Sequence, residues 1–274
     1  MEEITSAQNP LIKLVRSLSS RKHRAASGLF AVEGAEYALK AKAHGYEPYL
    51  LLVDRDQRGG RDVGTIILWA GERGARVLAV PPALLSRLSG LSNPQPLILV
   101  CRQRWARSFE GTIPADAVVL ALDRIRDPGN LGTIMRTAEA VRVTRLCLIA
   151  ECCDPFSREA LRASAGSLFA MDILRCGHED ALAMMTGWPG DMIAAEREAA
   201  EDFRQRYRRP VLLLMGSESE GLNAALRDRS TKRVRIPMAP GVESLNIATA
   251  TALMLYELQL SRISSKSLPP CGGG

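Results

Sequence analysis

Apolar, strand-like runs alternate with helix-like segments through the second half of this sequence, and that alternation is what most constrains the fold. Runs such as VVLALD at 118–123 and VLLLM at 211–215 are each followed by a turn and a segment with helical spacing. Strands that alternate with helices usually form a parallel sheet with helices on both faces. In such sheets, ligands bind beyond the carboxyl ends of the strands. The sequence therefore predicts an α/β domain with a mostly parallel sheet and a site in its strand-end turns.

The first hundred residues show the same alternation in shorter segments. Apolar runs separated by short helices over 29–102 predict a second, smaller α/β unit. Residues 101–116 are polar and contain Gly111 and Pro114, which interrupt regular structure. We therefore predict an N-terminal domain at 1–105, a linker at 106–116, a C-terminal domain at 117–264 and a disordered tail at 265–274.

The charge balance favours a polyanionic partner. The net charge is +6 with 36 Lys and Arg residues, whereas aromatic residues make up only 5% of the chain. This balance suggests nucleic acid bound through its phosphates rather than a membrane surface. A single basic helix is predicted over 9–24. Such a run in isolation is more often a solvated face, but the overall basicity favours a nucleic-acid contact. The candidate contacts are Arg16, Arg21, Lys22 and Arg24.

The sequence also bears on location and metal binding. No run approaches ~18 uninterrupted apolar residues. Residues 1–10 lack the basic and apolar regions of a signal peptide, so a cytoplasmic location is predicted. The six cysteines form no C-x-x-C pair and only three histidines accompany them, which argues against zinc. We predict no metal site and reduced, mostly packed thiols.

Three strand-end turns carry the candidate chemistry. The first spans 123–136, the second is GSESEG at 216–221, and the third joins a strand near 234–236 to a helix predicted to begin near Ser244, with Ser244 as its N-cap. Taken singly, each is more often a plain connection, and the first matches neither common phosphate-binding motif. Together they place an arginine, two asparagines, a glutamate and a serine at strand ends of one domain, which favours a site.

The sequence motifs in these turns resemble those of a known protein family. D-x-x-x-D-P-G-N-x-G-T-x-x-R-T-A at 123–138, L-x-M-G-x-E-x-x-G-L at 213–222 and I-P-M-x-x-x-x-E-S-L-N-I-A-x-A at 236–250 look like the three motifs of the SpoU, or TrmH, family. These proteins are RNA ribose 2′-O-methyltransferases of the SPOUT superfamily. The resemblance covers about 117–262, and residues 1–105 are similar to the family's N-terminal substrate-binding domain, an RNA-binding α/β domain.

The resemblance carries further expectations. It implies S-adenosylmethionine as the methyl donor, a deep trefoil knot in the C-terminal domain, and a homodimer whose active site is completed across the interface. Packing rules alone would predict an unknotted sheet, because knots are exceptional. By position, it implies catalytic roles for Arg136, Asn130, Glu218, Ser244 and Asn246. It implies a cofactor pocket of mainly main-chain groups around Gly216, Ile236, Met238, Ser244 and Leu245.

Several alternatives stay open at this level. Arg136 either accepts the proton of the ribose hydroxyl or acts as a charged fork that binds phosphate and the developing alkoxide. The first role is demanding, because a guanidinium is normally protonated. Ribosomal RNA is favoured over transfer RNA, since the separate N-terminal domain resembles that of relatives that modify the large ribosomal subunit. The alternative of a different class is a non-catalytic RNA-binding or ribosome-assembly factor.

Overall fold

The computed structural model describes residues 1–57, 60–89, 93–109 and 113–263. Gly111, Cys271 and the predicted tail at 265–274 lie outside these residues. The strands are β1 (Glu2–Glu3), β2 (Leu29–Glu33), β3 (Pro48–Asp54), β4 (Arg76–Val80), β5 (Leu97–Arg102), β6 (Val118–Asp123), β7 (Arg145–Ile149), β8 (Asp172–Cys176), β9 (Met192–Ala195), β10 (Glu201–Asp202), β11 (Val211–Gly216) and β12 (Lys232–Arg235).

The helices mostly alternate with the strands, as the sequence pattern predicts. They are α1 (Pro10–Ser17), α2 (Arg21–Ser27), α3 (Ala35–Ala43), α4 (Arg61–Glu72), α5 (Pro82–Leu88), α6 (Pro128–Ala140), α7 (Arg158–Ala163), α8 (His178–Met185), α9 (Ala224–Arg229) and α10 (Ile247–Ile263). The exceptions to the alternation are the consecutive helices α1 and α2 and the strand runs β5–β6 and β9–β11, within which the described residues contain no helix. A short 3-10 helix covers Ser167–Ala170. None of the helices in the described residues is long and apolar enough to cross a membrane.

The chain forms two compact units. Unit 1 contains Met1–Arg104 and Asp154–Ala170, and unit 2 contains Trp105–Cys153 and the described residues from Met171 onward. The sequence boundaries placed residues 154–170 within 117–264, but their contacts group them with unit 1. Aromatic packing explains the difference, because Phe156 lies 4.8 Å from Phe30 and Phe169 lies 5.1 Å from Tyr46 between ring centroids.

Unit 1 is built on a mixed sheet in the order β1-β4-β3-β5-β2. Only β5 runs antiparallel to its neighbours, β3 and β2, whereas β4 pairs in parallel with β1 and β3. Helix α1 packs its apolar side chains Ile12 and Val15 against this sheet, where they are fully buried. The observed antiparallel strand brings the start of β5 beside the end of β2.

The predicted single helix at 9–24 is wrong. Helix α1 starts after Asn9, whose side chain caps Leu11 N at 2.9 Å, and ends at Ser17. Helix α2 begins only at Arg21. The break has a physical cause, because the Arg24 guanidinium takes the carbonyl oxygens of Leu18 and Ser19 as acceptors at 2.8 and 2.9 Å. Those carbonyls are thereby withdrawn from a continuous helical ladder.

Unit 2 is built on a sheet in the order β10-β12-β9-β11-β6-β7-β8, and every pairing in it is parallel. The predictions of an α/β class and a mostly parallel sheet are confirmed. The central strands β6 and β11 are fully buried except at the end of β11, as expected for a sheet covered on both faces. Helix α10 packs against α6.

Candidate active site

Two of the three predicted turns begin side by side. Strand β6 ends at Asp123 and β11 ends at Gly216, and these residues are direct partners in the parallel pairing. The third turn follows β12, which is separated from β11 only by β9. Since the strands run parallel, all three turns leave the same edge of the sheet, where sites in such folds form.

The turns meet through one carboxylate oxygen. Glu218 Oε1 accepts hydrogen bonds from Asn246 Nδ2 at 3.1 Å, from the backbone amide of Ile247 at 3.0 Å and from Asn130 Nδ2 at 3.4 Å. Asn246 Nδ2 also donates to Asn130 Oδ1 at 3.0 Å. One residue from each predicted motif therefore lies in a single hydrogen-bonded cluster, which we call the motif cluster (Asn130, Glu218 and Asn246).

The cluster corrects the prediction that Ser244 caps the last helix. Helix α10 begins at Ile247, and Asn246 Oδ1 accepts from the amides of Ala248 and Thr249 at 2.9 and 3.4 Å. Asn246 is therefore the N-cap, while Glu218 satisfies the first amide of the helix. Ser244 lies two residues earlier in the loop, where its side chain is exposed and lines a cavity.

Glycines let the second turn fold back over the strand end. A Cβ at Gly216 would lie 2.1 Å from Leu222 N and 2.2 Å from Gly221 C, so no other residue fits there without moving the loop. Gly221 has φ +63° and its amide donates to Ser217 O at 2.9 Å. The tight return places Glu218 at the tip of the turn, facing the other two motifs.

A buried aspartate, which sequence reasoning did not single out, holds the first two turns together. Asp123 is fully buried, and its carboxylate accepts from His178 Nε2 at 2.8 Å and from Asn223 N at 2.8 Å. Arg124 also donates to it at 3.2 and 3.3 Å and pairs with Glu220 in the second turn. The position of Asp123, at a strand end and at the start of the first motif, could have identified it as a site residue from the sequence. No sequence feature indicated that His178 would contact it.

A cavity of about 540 Å³ lies beside the motif cluster. Its walls include apolar side chains, such as Met215 and Leu222, and the carboxylates of Glu196 and Glu218. The five residues predicted to bind the cofactor all line it: Gly216, Ile236, Met238, Ser244 and Leu245. Its size falls within the roughly 300–1,000 Å³ typical of small-molecule sites.

Arg136 lies apart from these contacts. It sits on α6, the helix that also carries Asn130 and whose start is capped by Asp127 Oδ1 accepting from Asn130 N at 2.6 Å. The Arg136 side chain is exposed, and within the described part of the chain its guanidinium makes no hydrogen bond or ion pair. The structure thus brings three of the five predicted catalytic residues into contact, places Ser244 at the cavity wall, and leaves Arg136 available to a ligand.

The four predicted nucleic-acid contacts divide in two. Arg16, Arg21 and Lys22 are exposed on α1 and α2. Arg24 is only 4% exposed, and its Nε lies 2.8 Å from Asp154 Oδ2. The prediction that Arg24 contacts nucleic acid is therefore wrong, because the guanidinium is used inside unit 1 to fix the α1–α2 break and residue 154.

The cysteines behave as packed thiols. None of the five in the described residues forms a disulfide, and Cys101, Cys147 and Cys152 are buried. Burial raises the pKa of the Cys152 thiol to about 11, which keeps it protonated at neutral pH. Across the same residues, no group of three or more His, Cys, Asp or Glu side chains is arranged to hold a metal ion.

Comparison with known proteins covers both units. Residues 117–256 match the model of the SpoU rRNA Methylase family, and residues 9–99 match the MRM3-like substrate binding domain. An uncharacterized tRNA/rRNA methyltransferase of Synechocystis is 34% identical over 93% of this chain and 92% of its own. A 23S rRNA uridine 2′-O-methyltransferase of Streptomyces viridochromogenes is 30% identical over 91% of this chain and 89% of its own. The AdoMet-bound rRNA methyltransferase of Sinorhizobium meliloti is 34% identical with a TM-score of 0.88, covering 95% of this chain and 98% of that one.

Proposed function

Because the chain belongs to the SpoU rRNA methylase family, we propose that it transfers a methyl group from S-adenosylmethionine to a ribose 2′-hydroxyl of RNA, and that this RNA is ribosomal. The observation that carries the proposal is the motif cluster beside a cavity of suitable size. The names of the similar proteins from Streptomyces and Sinorhizobium support ribosomal RNA as the substrate.

The cavity in unit 2 suits the proposed methyl donor. Apolar side chains such as Met238 and Leu245 offer a surface for an adenine ring. The walls carry both carboxylates (Glu196 and Glu218) and guanidinium groups (Arg227 and Arg233), which suits a ligand that carries charges of both signs. When bound, the donor supplies an electrophilic methyl group on a positively charged sulfur. We propose that main-chain groups around Gly216, Ile236, Met238, Ser244 and Leu245 hold it.

The protein must position and activate the ribose hydroxyl. A hydroxyl is a weak nucleophile, so alignment and stabilisation of developing charge supply most of the rate. We assign Asn130, Glu218, Ser244 and Asn246 to the alignment of donor and acceptor. Arg136, with its exposed and unpaired guanidinium, either accepts the hydroxyl proton or clamps the phosphate and alkoxide.

A homodimer is part of the proposal. Helix α10 exposes Leu253 and Tyr256 at 41% and 45%, two of the larger apolar side chains left uncovered in the described residues. Apolar contact between copies at α10 would cover them, and α6 with Arg136 packs directly on α10. Sedimentation at micromolar concentration should give a dimer for the wild type and a monomer for Leu253→Glu/Tyr256→Glu. A monomeric wild type would contradict the dimer.

Three finer assignments complete the proposal. Residues 1–105, together with Asp154–Ala170, form the RNA-binding domain, and the rest of 117–264 forms the methyltransferase domain. The methyltransferase domain carries the family's deep trefoil knot, which an experimental chain trace can test directly. The protein is cytoplasmic, where a ribosomal RNA substrate is found.

Methyl transfer from labelled donor tests the function. Purified protein should transfer label to protein-free ribosomal RNA, and the product should resist alkaline cleavage at one position because its 2′-oxygen is blocked. Transfer RNA in the same assay should remain unlabelled, and labelling it instead would contradict the ribosomal part of the proposal. If the wild type binds RNA but transfers nothing to either RNA, the non-catalytic alternative is favoured.

A further inference from the structure

Unit 1 contains a second cavity, of about 280 Å³, at the carboxyl end of β2. Because β5 runs antiparallel to β2, the residues before β5 lie beside the residues that follow β2. The amide of Gly34 accordingly donates to Leu97 O at 3.0 Å, and Gln95 lies over Gly34. The third wall comes from α7, through Arg158, Leu161 and Arg162. Helix α7 lies outside the matched substrate-binding model at residues 9–99.

The backbone is shaped to keep Gln95 at this cavity. Gly34 has φ +96°, and a Cβ there would lie 3.3 Å from Gln95 Cγ and from Gln95 Oε1. Glycine therefore permits both the left-handed turn into α3 and the close approach of the amide side chain. With respect to the described residues, the Gln95 amide makes no hydrogen bond, so both its donors and its acceptor are available to a ligand.

The two arginines of α7 differ in whether their guanidinium groups are paired within unit 1. Arg158 Nη2 donates to Leu88 O at 2.8 Å, and Arg158 Nη1 lies 3.8 Å from Glu33 Oε1, so this side chain supports the wall. Arg162 is exposed and forms no ion pair within the part of the chain described. Glu36 also lines the cavity and pairs with Lys40 at 3.2 Å. The lining thus balances two acids against two guanidinium groups and is not a purely cationic cradle.

This mixture fits one unstacked nucleotide better than a bare phosphate. Tyr37 and Leu161 offer an apolar surface against which a base can pack. The Gln95 amide and the Glu36 carboxylate can form hydrogen bonds with the edge of the base, and the Arg162 guanidinium can bind the phosphate. We propose that this cavity holds a single unpaired nucleotide of the RNA substrate, with Gln95 on its base edge and Arg162 on its phosphate. The inference rests on the proposed function in that it takes RNA as the substrate.

The test measures binding of the full-length protein to protein-free 23S ribosomal RNA at several salt concentrations. Gln95→Leu should lower the RNA affinity about tenfold, because a hydrogen bond to the base is lost. The salt slope, which is the change of log affinity with log salt concentration, should not change, because the substitution removes no charged group. Arg162→Gln should lower the affinity and reduce the salt slope by about one, because one phosphate contact is lost. S-adenosylmethionine affinity should stay the same in both variants.

Matched controls lie in the same unit but outside the cavity. Gln8→Leu removes an exposed amide and should leave RNA affinity unchanged, and Arg87→Gln should produce a smaller loss than Arg162→Gln. Equal affinities for Gln95→Leu and Gln8→Leu, or equal effects of the two arginine variants, would overturn the nucleotide pocket. Failure of the proposed function looks different, because the wild type itself would then transfer no methyl group to the RNA, whatever the variants do to RNA affinity.

Discussion

The two cavities lie at the ends of sheets that are built differently. In unit 2 every strand runs parallel, so the turns after β6, β11 and β12 leave one edge and their side chains meet in the motif cluster. In unit 1 the cavity lies where β2 ends and the antiparallel β5 begins, and α7 closes it from a distant part of the sequence. A parallel sheet gathers strand-end residues by its topology, whereas a mixed sheet needs another segment to complete a pocket.

This comparison predicts a division of labour. Changes in the unit 2 site should impair methyl transfer more than RNA affinity, and changes in unit 1 should do the reverse.

The largest effect is expected from Arg136→Ala. Removal of the free guanidinium should lower turnover by up to about 1,000-fold, the upper end of the cost of losing an oxyanion-stabilising donor, while donor affinity stays unchanged. Arg107→Ala, at another exposed arginine of unit 2, serves as the control and should be nearly silent. Near-normal methylation by Arg136→Ala would remove this residue from the mechanism.

Arg136→Lys can separate the two proposed roles. If the side chain is a charged clamp, lysine should retain some activity with little dependence on pH, because a cation remains while the fork geometry is lost. If it accepts the proton, activity of the lysine variant should rise with pH as the amine becomes deprotonated. Single-turnover rates measured across pH for wild type and variant distinguish the two outcomes.

Glu218→Ala should give the next largest effect. The change leaves the amide of Ile247 and the Asn246 side chain without their shared acceptor, so we expect kcat/KM to fall about 100-fold and donor affinity about tenfold. Glu218→Gln keeps an acceptor oxygen and should lose less. Glu220→Ala, on the same turn but outside the motif cluster and paired with Arg124 and Arg126, is the comparison. A Glu220→Ala defect as large as that of Glu218→Ala would mean that the turn as a whole, and not this carboxylate, matters.

Two buried aspartates compare the units directly. Asp123→Asn and Asp154→Asn each remove a charge from a buried ion pair, so each should cost about 3 kcal/mol of unfolding free energy in urea denaturation. Only Asp123→Asn should also weaken donor binding, because Asp123 anchors the turns that line the unit 2 cavity. Equal donor affinity in the two variants would show that Asp123 contributes stability alone.

The smallest effects are expected on the surface of unit 1. Arg16→Gln and Lys22→Gln should each weaken RNA binding about threefold and reduce the salt slope by about one, since both side chains are exposed. Turnover at saturating RNA should not change. Arg24→Gln should instead destabilise unit 1, because its guanidinium is buried against Asp154. A normal unfolding midpoint for Arg24→Gln would contradict this structural assignment.

The sequence predicted which strand-end residues of unit 2 lie together, because each of them is close in sequence to the end of a strand. The alternation of apolar runs and helical segments predicted the strands, and a parallel sheet brings the turns after them to one edge. The three family motifs then identified Asn130, Glu218 and Asn246 within those turns. What the sequence could not predict depends on contacts between distant residues. Helix α10 is capped by Asn246 and not by Ser244, because Glu218, 29 residues before Ile247, accepts a hydrogen bond from the Ile247 amide.

Unit 1 shows the same limit more strongly. From the sequence, Arg24 is one of several basic residues in a row and is predicted to lie on the surface. It is buried because it forms an ion pair with Asp154, which is 130 residues away in the sequence. Gln95 and Arg162 carry no motif, and nothing local to either one indicates that β5 and α7 bring them to one cavity. Charge and periodicity depend on residues that are close in the sequence. These sites are defined by contacts between residues that are far apart in the sequence.

The assignment of Asp154–Ala170 to unit 1 has a consequence for how the chain is made. During synthesis, the first 104 residues emerge with Phe30 and Tyr46 still lacking Phe156 and Phe169, their later ring partners. The ribosome must first produce β6, α6 and β7 before the missing residues appear. Domains usually fold from the N-terminus as they emerge, but here unit 1 cannot be completed until the first segment of unit 2 has been made. The nascent chain must keep an unfinished apolar surface soluble for the time it takes to make about fifty further residues, an interval of seconds at ordinary synthesis rates.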